Sequence, residues 1–350
     1  KVLDVDISIT HATLTSDNYP PPVTIGCVEL PGEEPAPQEP DPKPEYIVSG
    51  TVEGLEPTDR ARISINSSSG GGSQPIRASD NTFEFNRLER NFYDLIAIRY
   101  EADASVPTDM IAMLGEPINQ DKRFTLDFNG PDVYSFAETK RVTVQGVQPS
   151  ERVFGTVDFR TKGNYNIELG TSRNTAASIT YATAPDSWEG EETFYHIYIN
   201  ANEDSPSGAG TSRSTTRTIK TPGDVSVSLP DTFSKAEVSV SATTPHVRLQ
   251  AMWPEQAASD GSYDIRYRQR EDKNISRNIS IYMDASWLGK SADYNYTLPD
   301  FSRLKDWENG WGLMPGMETS WSLSSGNQTG EFGKDSYQGI RLEAFGIIKP

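Results

Sequence analysis

The chain has 350 residues, with 32 Lys and Arg against 50 Asp and Glu, a net charge of −18; 35% of residues are apolar and 10% aromatic. That aromatic content argues against wholesale disorder, and the acidity argues against gripping a phosphate backbone, so no nucleic-acid partner is expected. No run nears the ~20 apolar residues of a membrane-spanning helix, and one cysteine, Cys27, excludes a disulfide framework or thiolate metal site.

Leu3, Val5, Ile7 and Ile9 alternate with Asp4, Asp6, Ser8 and Thr10. Period-two alternation predicts a half-buried strand within an arm over residues 1–17. Residues 18–44 then carry Pro20 to Pro22, Pro31, Pro35, Pro37, Pro40, Pro42 and Pro44 among acidic residues. Each proline removes a donor and fixes φ, so a stretched, semi-rigid tether is predicted. At ~3.1 Å per residue, its proline-dense second half would span roughly 43 Å.

A lone strand on such a tether needs a sheet. It either folds back as an edge strand of its own chain or enters a neighbouring copy as a donated strand. The second arrangement is head-to-tail and builds filaments. The chain begins at Lys1 rather than Met, which fits an exported protein whose signal peptide has been removed; a trimmed chain is the alternative. Cys27 reads as an ordinary thiol, because no apolar signal region precedes it.

Residues 45–140 show strand-length segments between turn signals, the mark of an antiparallel sandwich. Ser67 to Ser73, rich in Gly and Ser, reads as a mobile hairpin connection. Four pieces carry a resemblance: Val48 to Val52, Ala61 to Ile65, Ser79 to Leu88 and Tyr93 to Ile98. Over residues 48–98 the chain resembles the carboxypeptidase regulatory-like domain, a transthyretin-like sandwich. The resemblance implies a non-catalytic accessory or surface module with no active-site residues. That family usually has Gly where this chain has Asn81 and Asn91; Asn tolerates positive φ, so the turns are expected to survive.

Residues 141–350 continue as alternating segments, expected as one large sandwich or two packed together. Val153 to Val157 echoes Val48 to Val52. Val238, Val240, Val247, Leu249 and Met252 are core candidates, and a helical turn is predicted around Ser302–Trp307 with Asp300 as its cap. Gly208–Thr221, polar throughout, reads as an exposed loop or hairpin.

Chemistry-bearing patterns are sparse. Neither a Gly-x-Ser-x-Gly nor a His-Glu-x-x-His motif is present. His196, in phase with Phe194 and Tyr198 and close to Glu191 and Glu192, reads as a structural strand histidine, so no catalytic residue is assigned. Asn200, Asn202 and Asp204 place oxygens at alternate positions, as in part of a calcium loop; the alternative is a polar turn. Trp307 and Trp311 are candidate glycan-stacking residues, or core. The chain is thus expected to be an all-β protein of tandem antiparallel sandwiches, exported and non-enzymatic. Assembly would run through Leu3, Val5, Ile7 and Ile9, with a second copy or a neighbouring surface protein as partner. Carbohydrate binding is the alternative, and calcium is the one cofactor the sequence suggests.

Overall fold

The computed structural model describes residues 3–11, 45–67, 70–162, 165–173, 177–203, 208–271, 275–304 and 307–350. The proline-rich tether and Cys27 lie outside the described residues. Among the described residues the fold is all β, built from stacked sheets.

After β1 (Leu3–His11) come the strands of a first sandwich: β2 (Glu45–Glu53), β3 (Arg60–Ser67), β4 (Gly70–Arg77), β5 (Thr82–Glu89), β6 (Asn91–Tyr100), β7 (Asp109–Ile118), β8 (Lys122–Asp127) and β9 (Val133–Ser135). Its sheets run β5-β2-β8 and β4-β3-β6-β7-β9. They close over Val48, Val52, Ile63, Ile65, Phe83 and Leu126.

Next come β10 (Thr139–Gln145), β11 (Glu151–Arg160), β12 (Asn166–Arg173), β13 (Ser178–Ala182), β14 (Phe194–Glu203), β15 (Gly210–Ile219) and β16 (Val225–Ser228). The chain continues through β17 (Glu237–Ala242), β18 (Arg248–Pro254), β19 (Tyr263–Arg270) and β20 (Ile275–Met283). A single helical turn, α1 (Ala285–Leu288), precedes β21 (Asp293–Thr297), β22 (Thr319–Thr329) and β23 (Gln338–Ile348).

One nine-stranded sheet, β1-β20-β19-β22-β23-β15-β14-β11-β12, runs the length of this region. Two three-stranded sheets cover its core face: β13-β10-β16 over one half and β17-β18-β21 over the other. Val142, Tyr181 and Val227 meet Val157, Phe159 and Ile197 in one core. Leu249, Trp253 and Tyr296 meet Ile265, Ile281 and Leu323 in the other. Region 141–350 is therefore a single long sheet carrying two cores.

β6 joins the first sandwich to this sheet. Its run Leu95-Ile96-Ala97-Ile98 is buried without interruption, the pattern of a strand dry on both faces. Leu95 and Ala97 enter the first core, whereas Ile96 and Ile98 enter the β10–β16 core.

Several expectations are corrected. Gly208–Thr221 is expected as an exposed loop or hairpin; Gly210–Ile219 form β15, paired antiparallel with β14 as in a hairpin but inside the nine-stranded sheet, between β14 and β23, so only the expected exposure fails. Burial there is polar: Arg213, Thr215 and Thr218 are all buried. Glu151 receives Arg213 Nε at 2.7 Å and Nη2 at 2.6 Å, and the Gly146 carbonyl accepts Nη2 at 2.6 Å. Gly70 to Ser73 belong to β4, a true ladder with Ser64 to Ser67. A Cβ on Gly71 would lie 2.2 Å from the Ile65 carbonyl oxygen, so the glycine permits close pairing rather than looseness.

Asn81 and Asn91 are not in the positive-φ region; Arg87, Asp103 and Lys235 are. The asparagines hold their turns by side-chain bonds instead, Asn81 Nδ2 donating to the Val52 carbonyl at 3.0 Å and Asn91 Oδ1 accepting from Phe92 N at 2.8 Å. Met252 faces outward, because Leu249, Ala251 and Trp253 hold the inward phase of β18; Val240 shares the face of its partner Leu249 but is exposed, beside the register shift that ends the pairing on the edge strand β17. The turn capped by Asp300 is a 3-10 turn over Phe301–Arg303, with Ser302 N donating to Asp300.

Candidate functional site

The feature that sets this sheet apart is its edge. β1 pairs in parallel with β20 along its whole length, from Leu3 opposite Ile275 to His11 opposite Met283. β20 also pairs antiparallel with β19 on its other side. Parallel neighbours need a long crossover, and about three quarters of the chain, residues 12–274, lies between β1 and β20. The other parallel pairs, β2 with β8 and β10 with β16, likewise add an edge strand.

The register is set by matching alternation. Ile7 stands beside Ile279 and Ile9 beside Ile281. Ile279 and Ile281 are fully buried, Ile7 is 4% exposed, and Ile9 packs against the same core. Ser8, opposite Ser280, is exposed. A slip of one residue would place Ser8 and Asp6 on the core face and Ile7 in water, so this register is strongly specified. Leu3 and Val5 pair through their backbones with Ile275 and Arg277; their side chains lie outside the described residues.

Arg277 shapes the same seat. It is 4% exposed, donating through Nε to the Gly310 carbonyl at 2.9 Å and through both terminal nitrogens to Glu271 at 3.2 Å. Its guanidinium thus ties β20 to the 3-10 turn Asn309–Trp311.

The opposite edge of the sheet is closed differently. On β12, Thr171 N donates to the Ser105 carbonyl at 3.1 Å, and the Glu168 carbonyl accepts from the Tyr100 hydroxyl at 3.3 Å. The first sandwich therefore blunts that edge. At the β20 edge the covering element is β1, which is itself the terminal strand among the described residues.

The sequence-predicted glycan residues are engaged internally. Trp307 stacks on Phe301 at 5.1 Å, lies 5.7 Å from His246 and meets Trp311 edge-on at 5.8 Å. Burial lowers the pKa of His246, against the raising pull of Asp300. Asn200 and Asn202 stand on β14, a regular strand, opposite Phe154 and Arg152. Two residues along a strand advance ~6.8 Å, and Asn200 Nδ2 donates to Ser212 Oγ at 3.0 Å. Asp204 lies outside the described residues. Among the described residues no group of three His, Cys, Asp or Glu is placed to hold a metal.

His196 lies on the outer face of β14, its Nδ1 4.0 Å from Asp158 Oδ2 on β11; its carboxylate neighbour is thus across the ladder rather than at Glu191 or Glu192. Arg277 and the β20 edge escaped sequence reasoning, which read Ile279 to Met283 only as a strand. The one available signal was that Ile279 and Ile281 repeat the alternation of Ile7 and Ile9. Among the described residues no helix is long and apolar enough to cross a membrane, which leaves β-barrel spanning unaddressed. A scan against protein-family models finds no match to this chain, and a search of curated proteins returns no match either.

Proposed function

We propose that this chain is an exported, non-enzymatic structural subunit of a cell-surface or extracellular filament, joined to its neighbours by donation of β1. The observation that carries this reading is the β20 edge, finished by a strand from the far end of the chain beyond a proline-rich tether. Backbone pairing along β1 supplies affinity and register, and Ile7 and Ile9 supply the buried anchors. A copy that offers β1 to the next copy's β20 uses different surfaces on its two sides, a heterologous contact that propagates. The first sandwich fits the non-catalytic accessory module that its family resemblance implies.

Ile7→Asp tests this. Burying a carboxylate at the centre of the seat costs several kcal/mol, and Ile7 is the buried core member that β1 contributes among the described side chains. Light scattering should report loss of large particles with β-sheet circular dichroism retained. Particle size unchanged by Ile7→Asp, or a wild-type chain monomeric at every concentration, would overturn the reading.

A further inference from the structure

Where the first sandwich meets the nine-stranded sheet, a cleft of about 660 Å³ opens between them. Its apolar wall is Leu114 from β7, Phe159 from β11 and Trp188 from the 3-10 turn Asp186–Trp188. Trp188 and Phe159 pack at 6.4 Å with their planes 32° apart. Leu114 is 50% exposed. A seam serving only to join two units would cover such a side chain; here the two units stand apart around an open space.

The rim is acidic. Among the described residues, Asp94, Glu189, Glu191 and Glu192 line the cleft against one cation, Lys162, which approaches Glu192 at 3.8 Å with both side chains largely exposed. Glu189 has its pKa raised, first by burial and then by Asp186, so its charge is held at a cost that a bound cation would relieve.

The segment carrying these acids is pinned before any ligand arrives. Trp188 N donates to the Pro185 carbonyl at 2.9 Å, Gly190 N to Thr193 Oγ1 at 2.8 Å, and Lys220 Nζ to the Thr193 carbonyl at 2.9 Å. A mostly apolar concavity with a few convergent polar groups on fixed backbone is the usual form of a small-ligand site.

We propose that this cleft binds an organic cation, an ammonium or guanidinium on an apolar stem. The stem would lie against Leu114, and the charge would sit over Trp188, which the buried Phe159 backs from the core side, within reach of Glu189. An aromatic face attracts such a cation through its quadrupole, and the carboxylates supply the countercharge. A lysine or arginine side chain and an amino sugar share this chemistry. The site is independent of β1 and of its seat on β20.

The test is calorimetric titration of the full chain with three probes: a lysine tripeptide, a glucosamine trimer and, as the neutral control, an N-acetylglucosamine trimer. Binding of either cationic probe with no binding of the neutral one supports the proposal, and the better probe identifies the source. Trp188→Ala and Glu189→Gln should each weaken binding at least about fivefold, with circular dichroism unchanged. Glu237→Gln, on exposed β17, should leave binding intact. The proposal is overturned if the neutral trimer binds equally well, if Glu237→Gln weakens binding as much as Glu189→Gln, or if neither cation binds at millimolar concentration.

Discussion

Arg213 of β15, a strand with almost no apolar residue, meets Glu151 of β11 at 3% and 2% side-chain exposure. Two backbone carbonyls, of Gly146 and Pro230, accept two more of the guanidinium's donors. Removing one member leaves the other charged, buried and unpaired. Arg213→Met should therefore cost about 3–5 kcal/mol in urea unfolding, and the double replacement with Glu151→Leu should cost less than the single one. Tyr267 presents the opposite case: it is 1% exposed, and its hydroxyl has no partner among the described residues. Tyr267→Phe should hold or raise stability, by up to about 1 kcal/mol.

Burial also raises the pKa of Tyr100, Tyr181, Tyr195 and Tyr267, and pushes that of Tyr296 up to about 12. An unfolded tyrosine titrates near 10, so the native state binds protons that the unfolded state has already lost. This contribution is complete below about pH 10 and is lost as pH rises from there through the native values. The part of the phenolate absorbance owed to these buried tyrosines should therefore appear in a steep step coincident with loss of circular dichroism. Ionisation of all fifteen tyrosines with the fold intact would contradict this burial.

Among elements, β6 and β15 mark the two limits of what the amino-acid sequence discloses. The apolar run of β6 announces a strand, and its double burial explains why alternation is missing there. Ile98→Ala should cost about 2–5 kcal/mol and loosen the first sandwich from the long sheet. β15, with Ser, Thr and Arg throughout, was illegible because its burial rests on hydrogen bonds and the Glu151 pair, which lies 62 residues away. Hydrophobic periodicity carries no trace of such partners. β21 was missed for a simpler reason: only Tyr294 and Tyr296 alternate within its five residues, too short a pattern to announce a strand. β1 was legible as a strand from the alternation of Leu3, Val5, Ile7 and Ile9. Its seat was not, since parallel pairing with β20 depends on a contact across about three quarters of the chain.

For the molecule as a whole, the seating of β1 on its own β20 sets the terms of the proposed assembly. Exchange between copies preserves each backbone bond and each isoleucine contact, so the two arrangements differ mainly in strain and in the entropy of the tether. A strand held on its own molecule meets its seat at an effective concentration that dilution does not change, so a dilute chain should close on itself and a concentrated one should exchange. Assembly should accordingly be concentration-dependent and start slowly, as strand swapping does. The most direct measurement uses Ser8→Cys and Ser280→Cys, opposite each other in the register, with Cys27→Ser, in two copies of the chain carrying different tags. A short thiol crosslinker applied to the assembled fraction should join the introduced thiol on β1 of one copy to the introduced thiol on β20 of the other, giving a ladder of mixed-tag species on a denaturing gel. If every crosslink in assembled material falls within a single chain, β1 is only an edge strand of its own sheet, and the strand-donation account is wrong.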